Sequence, residues 1–192
     1  MTLTDQPSII LETERLLVRS WIESDRDLFR EINADSKVME FFAFRRSHAE
    51  ADALLERING SIQDTGLGFY ALEVKDTAEP IGFCGLSLAN MPEIFPAETV
   101  EIGWRLATRF WGRGYVTEAA GALLQLAFRE KSIPALLAFA VESNRRSTSV
   151  MERIGMRRCR DMDFIHPRVP DTHPHLKRHV VYAAVAEGVA TG

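Results

Sequence analysis

Cysteine is scarce in this chain. The two present, Cys84 and Cys159, are far apart and fit no metal-ligand spacing, so they read as buried reduced thiols. No metal site is expected. No apolar run approaches the length of a membrane span, and Met1 to Ser8 contains no apolar signal region. A cytoplasmic protein without membrane association is the expectation. Positive charge is not in excess either. Lys and Arg number 23 against 27 Asp and Glu, a net charge of −4, so no basic field recruits nucleic acid. No internal repeat and no low-complexity segment appears.

What is present fits one globular domain. At 192 residues the chain buries a core without staples, and 46% hydrophobic with 26% charged residues is ordinary for such a domain. Thr13 to Trp21 reads as a strand. Capping boxes at Ser24–Asp27 and Ser47–Glu50 open two helices, the second with Ala51, Leu54, Leu55, Ile58 and Ile62 on one face. Phe69–Val74 and Ile81–Leu88 read as a hairpin, and Val100–Leu106 as a strand with one apolar face. A helix follows from near Val116, then an apolar run, Ala135–Val141, that suits a buried central strand. Ser147, Val150, Met151 and Ile154 mark a short helix that Gly155 ends. Arg157–Met162 and His179–Val185 are closing strands around a loop, Phe164–Arg178, with three prolines and three histidines. The order predicts an α/β fold with a mixed sheet and helices on both faces. The domain is expected over residues 10–186, with residues 1–9 and 187–192 as flexible termini.

The most informative stretch is Arg109-Phe110-Trp111-Gly112-Arg113-Gly114-Tyr115, between a strand and a helix. Gly112 and Gly114 let the backbone turn sharply there and approach a ligand. The N–H groups that open the next helix lack partners within it and point at an anion. Such a loop predicts a pyrophosphate. The dinucleotide fingerprint fails, because Thr117 stands where its third glycine belongs. The P-loop fails too, because no Gly-Lys-Ser/Thr follows.

The combination is more specific than the loop. Glu101 on its strand leads into Arg-x-x-Gly-x-Gly, then Val141-Glu142-Ser143-Asn144, Ser147 and Ile154-Gly155-Met156. With Glu14–Arg19 at one end and His179–Tyr182 at the other, this resembles the GNAT superfamily of acetyl-coenzyme-A-dependent N-acetyltransferases. Within it the chain resembles most the branch that acetylates the N-terminal amines of ribosomal proteins. The resemblance implies a single domain whose sheet is mostly antiparallel, with central strands that splay apart. It implies that Arg109, Gly112, Arg113, Gly114, Tyr115 and Val116 hold the pyrophosphate of acetyl-CoA. It implies further that Trp104, Arg105 and Leu106 offer backbone to the pantetheine arm, and that Asn144 hydrogen-bonds that arm. Asn144 reads equally as a helix cap, and Trp104 as packing.

Acetyl transfer to nitrogen needs a neutral amine. At pH 7 a lysine-type amine costs about 4.6 kcal/mol to deprotonate and an α-amine about 1.1 kcal/mol. Glu101 is the candidate base, set against a reading as a surface or paired carboxylate; Asp163, His166 and His173 in the proline-rich loop are rivals. Many family members place a tyrosine near Ser147; this chain has Met151 and no nearby tyrosine, which leaves Ser147 as the candidate acid for the departing thiolate. Ser147 reads also, and more simply, as a small residue against the core. The acceptor would be read by the first two helices, the Phe41–Arg46 segment and the proline-rich loop. A protein N-terminus, a small metabolite amine and an antibiotic amine all stay open, as does a homodimer. A non-catalytic acyl-CoA-binding sensor would share the loop and transfer nothing.

Overall fold

The computed structural model describes residue 3 and residues 6–186. Flexibility expected for residues 1, 2, 4, 5 and 187–192 falls outside the described residues. Order is already present at Ser8, whose N–H donates to Ser20 Oγ at 2.9 Å.

The chain opens on two strands rather than one: β1, Ile9–Glu12, and β2, Leu16–Arg19, pair antiparallel. The polar Thr13-Glu14-Arg15 makes the turn between them, and Thr13 N–H closes it on Leu16 O at 2.9 Å. Trp21, expected at the end of that strand, lies beyond it; it is fully buried and donates from its indole to Phe69 O at 2.7 Å. Helices α1, Arg26–Ala34, and α2, His48–Thr65, follow. The capping box at Ser24 does not form. Asp25 works in its place, accepting from Ile22 N–H at 3.0 Å while gripping Arg19. The box at Ser47 forms as expected: Ser47 Oγ accepts from Glu50 N–H and Glu50 accepts from Ser47 N–H.

Strands β3, Gly68–Val74, and β4, Glu79–Leu88, form the expected hairpin. Next come β5, Val100–Leu106; α3, Tyr115–Arg129; β6, Ala135–Val141; and α4, Arg145–Arg153. Gly155, at φ 84°, ends α4 in the left-handed conformation that suits glycine. The strand expected over Arg157–Met162 shrinks to β7, Arg157–Arg158, before a 3-10 turn at Arg160–Met162. Within the proline-rich loop a short β8, Phe164–Ile165, pairs with β9, Arg178–Val185.

Among the described residues these strands make one nine-stranded sheet in the order β1-β2-β3-β4-β5-β6-β9-β7, with β8 also on β9. Every pairing is antiparallel except β5 with β6. Helices α1 and α2 pack on β3 and β4 over one face, and α3 crosses β2, β4 and β5 on the other. The architecture is a mixed α/β single domain, as the element order predicts.

A buried ion cluster locks the first helix to the sheet. Arg19 on β2 holds Asp25 through two hydrogen bonds of 2.6 and 2.9 Å and Glu73 on β3 at 2.7 Å. Arg19 and Asp25 are each only 1% exposed. Removing one member strands the other charge away from water, which costs about 3–5 kcal/mol. Asp25→Ala should therefore lower the urea midpoint by an amount equal to about 3–5 kcal/mol. A midpoint within error of the parent would show that the cluster contributes nothing to stability.

Candidate active site

Strands β5 and β6 touch at one register position, Glu101 opposite Leu137. Ladder pairing stops there, and the rest of the two strands frames an opening. On β5, Ala107 N–H donates to Ile81 O on β4 at 3.0 Å. Peptide groups alternate along a strand, so those of Arg105 and Gly103 also face β4 while those of Trp104 and Leu106 face the opening. On β6 the same alternation turns Phe139 and Val141 toward it, since Glu142 N–H is bonded to Arg178 O on β9. Leu106 O is taken by the Trp111 indole at 2.9 Å, and Val141 O by Asn144 N–H at 2.8 Å. The N–H groups of Trp104, Leu106, Phe139 and Val141 and the carbonyls of Trp104 and Phe139 thus line a cleft between the strands. Its volume is about 1400 Å³.

The glycine loop forms one end of this cleft. Phe110 is buried and anchors a 3-10 turn, and Gly112 and Gly114 take φ of 75° and 79°. Gly114 is the N-cap of α3 and no side chain caps the helix. The first N–H groups of Tyr115, Val116 and Thr117 are therefore open at the cleft, where the helix dipole favours an anion. The Arg109 and Arg113 side chains stand elsewhere: Arg109 pairs with Glu31 on α1, and both lie against the Phe110 ring.

A neighbouring latch, unforeseen in the sequence, holds the loop. Arg15 donates from Nη1 to Arg113 O at 2.9 Å and from Nε to Glu118 Oε2 at 2.6 Å. Thr13 Oγ1 and Arg15 N–H donate to Glu118 Oε1 at 2.6 and 2.8 Å. Against partial desolvation, the Thr13 and Arg15 bonds hold Glu118 below the usual carboxylate range. The acid of the first helical turn, which also lines the cleft, is thus engaged by the β1–β2 turn. Arg145, Arg146 and Arg153 of α4 also line the cleft, with Arg146 over the Trp111 ring at 4.5 Å. The Arg145-Arg146 pair after Asn144 was the visible signal for them.

Asn144 caps α4: its Oδ1 accepts from Ser147 N–H at 3.2 Å, and its Nδ2 has no partner among the described residues. Ser147 lines the cleft, half-buried, and its hydroxyl has no partner among the described residues. Glu101 sits at the closed end of the gap on the face shared with Gly103 and Arg105. Burial pushes its carboxyl up to about 8, against the pull of Arg105. Burial, with Arg46 nearby, draws Arg105 down to about 9 against Glu101, so Arg105 stays cationic at neutral pH.

The rival bases separate clearly in space. Asp163 is held by Arg158 through two bonds of 2.5 Å, which keep it well below the usual range. His173 bonds Thr172 outside the cleft. His166 does reach the cleft, tilted against His179 with ring centroids 4.8 Å apart, and burial lowers both imidazoles, His179 to about 4. No group of three or more potential metal ligands occurs among the described residues, and none of their helices is long and apolar enough to cross a membrane.

A splayed parallel pair with an uncapped helix at its open end makes a cleft suited to an extended, amide-bearing ligand with an anionic end. The acetyltransferase (GNAT) domain family matches residues 15–157, and the chain belongs to this family of acetyl-CoA-dependent acyltransferases. An uncharacterized Bacillus subtilis protein, YkkB, is 30% identical over 148 residues, 76% of this chain and 84% of its own length. The structure of a GNAT-family acetyltransferase from Bacillus anthracis superposes with a TM-score of 0.75 at 24% identity, over 91% of this chain and 97% of that one. A ribosomal L7/L12 α-N-protein acetyltransferase in complex with coenzyme A also gives 0.75, at 16% identity over 95% and 100%. At those identities the two structures speak for the fold.

If the latch orders the loop for its anion, Arg15→Gln should weaken coenzyme A binding about fivefold, near 1 kcal/mol, for a partly exposed charged hydrogen bond. Calorimetric titration reads this directly; an unchanged affinity would leave the latch a purely local contact.

Proposed function

We propose that the protein moves acetyl from acetyl-CoA directly to a primary amine, in the cytoplasm. The observation that carries the reading is Glu101: a carboxylate raised to about 8, at the point where the two strands part. A base of that strength is matched to an α-amine near 7.8. Two free cysteines, one buried and one partly exposed, suit a reducing compartment.

In this reading the pyrophosphate rests on the backbone of Gly112 to Val116, and the Arg109 and Arg113 side chains act only through their long-range charge. The pantetheine arm pairs with the free peptide groups of Trp104, Leu106 and Phe139 and takes a bond from Asn144 Nδ2. Arg105 contributes its side chain rather than its backbone. The amine nitrogen attacks the thioester carbon while Glu101, directly or through water, takes its proton. A backbone N–H of β5 stabilises the developing oxyanion. The C–S bond then breaks and the thiolate leaves, protonated by the Ser147 hydroxyl or by water. Cys84 plays no part as a nucleophile, because full burial pushes its thiol far above neutrality.

Glu101→Gln should lower kcat by about 100-fold or more while the affinity for coenzyme A stays near the parent value. In the parent, only the ionised carboxylate accepts a proton, so kcat/KM should rise with pH and level off above about 8. The variant should lose that inflection. Retained turnover in Glu101→Gln with loss in His166→Gln would transfer the role to His166. Coenzyme binding without acetyl transfer to any amine would return the sensor reading.

A further inference from the structure

Two guanidinium groups line the cleft with no carboxylate at ion-pair distance, Glu101 acting on Arg105 and Glu50 on Arg46 only through longer-range charge. Arg46, at the end of the Phe41–Arg46 segment, and Arg105, on β5, both donate to one atom, Asn33 Oδ1, at 3.1 Å each. Asn33 is fully buried and fixed by its own bond to Phe29 O at 2.8 Å. Among the described residues neither arginine forms an ion pair. Each lies over a phenylalanine instead, Arg105 over Phe42 at 4.1 Å and Arg46 over Phe44 at 4.7 Å. Two partly buried like charges so close are costly unless an anion joins them. A guanidinium with most of its donors unspent is shaped for a carboxylate or phosphate, which it binds through two parallel bonds.

Their position relative to Glu101 is informative. Glu101, Gly103 and Arg105 share one face of β5, and four residues of strand span about 13 Å between the Cα atoms. Between them, at Gly103, the Phe69 ring lies against the strand, 3.0 Å from where a Cβ would stand. The surface therefore runs from a base, over an apolar ring, to a paired cation.

We propose that the acceptor is a primary amine carrying an oxyanion, a carboxylate or a phosphate, several bonds from its nitrogen, and that Arg46 and Arg105 bind that oxyanion. The inference rests on the amine-acetylation reading and narrows it. The amine lies at Glu101, an apolar stretch crosses Gly103 and Phe69, and the acidic group closes on the two arginines. A polycationic amine would meet like charge at the same place.

The test compares acceptors that differ in charge alone. One pair is an alanyl peptide with glutamate second against the same peptide with glutamine second. The other is aminobutyl phosphate against aminobutanol. In at least one pair kcat/KM should favour the anion by roughly 10–100-fold, and Arg46→Gln and Arg105→Gln should each reduce that preference to a few-fold at most. The pair that responds tells a peptide carboxylate from a small phosphate. Equal rates within both pairs, or a preference that survives both substitutions, overturns the inference and leaves amine acetylation standing. Should no acceptor turn over, that result counts against the amine reading, and binding decides the oxyanion site by itself. Glutarate titrated into coenzyme-A-saturated protein should bind the parent and fail to bind Arg105→Gln. Absence of binding to the parent, or equal binding to both, overturns the inference.

Discussion

The single ladder pairing between β5 and β6, Glu101 with Leu137, is the constraint on which the rest depends. A parallel pair joined at one position cannot satisfy its own peptide groups beyond it, and buried peptide groups without partners are costly. Two of the carbonyls find local donors, the Trp111 indole for Leu106 and Asn144 N–H for Val141. Those two bonds also bring the glycine loop and the α4 cap to the rim of the gap. The remaining peptide groups need an amide-bearing ligand between the strands or water. The opening in the sheet, the anion site and the cap are thus consequences of one interrupted ladder.

The same opening explains how an acidic chain holds a basic cleft. The surface carries the excess of carboxylates, and these pair with arginines away from the gap, as in Arg30 with Asp52 and Arg178 with Glu142. Glu118, the one acid in the first turn of α3, is drawn off to Thr13 and Arg15. The charged side chains that line the cleft are then mostly arginines, from α4, from β5, from the Phe41–Arg46 segment and from the proline-rich loop, with Glu101 and Glu118 as the acids. Net charge said nothing of this arrangement, because it is set by which acids are already engaged.

Legibility followed the range of the interactions. The strands β5 and β6, the Ser47 cap, the Gly155 stop and the glycine loop rest on local periodicity and backbone preference, and each stood in the sequence where the structure has it. The strand read over Thr13–Trp21 runs past β2 at both ends and omits β1, because Thr13-Glu14-Arg15 keeps enough β character to extend β2 backwards over the turn. Its role as a turn shows only when Glu118, about a hundred residues on, is seen to accept from it. Asp25 likewise reads as part of a cap and turns out to be the partner of a buried arginine. The Arg46–Asn33–Arg105 group draws on three separate segments and has no spacing to find.

Two desolvated groups, Glu101 and His179, show where the fold gives up stability to hold this site. Glu101 is raised from 4.5 to about 8, so between those values the folded chain binds more protons than the unfolded one and stability falls as pH rises. His179 is lowered from 6.5 to about 4, so across that window the unfolded chain binds more protons and stability falls as pH drops. The two opposing slopes come from one cause, desolvation at the walls of the same cleft. A ligand whose cation meets the ionised Glu101 and whose anion meets Arg105 would relieve both unpaired charges at once. A ligand of that charge pattern would recover part of the desolvation free energy that these groups give up on folding.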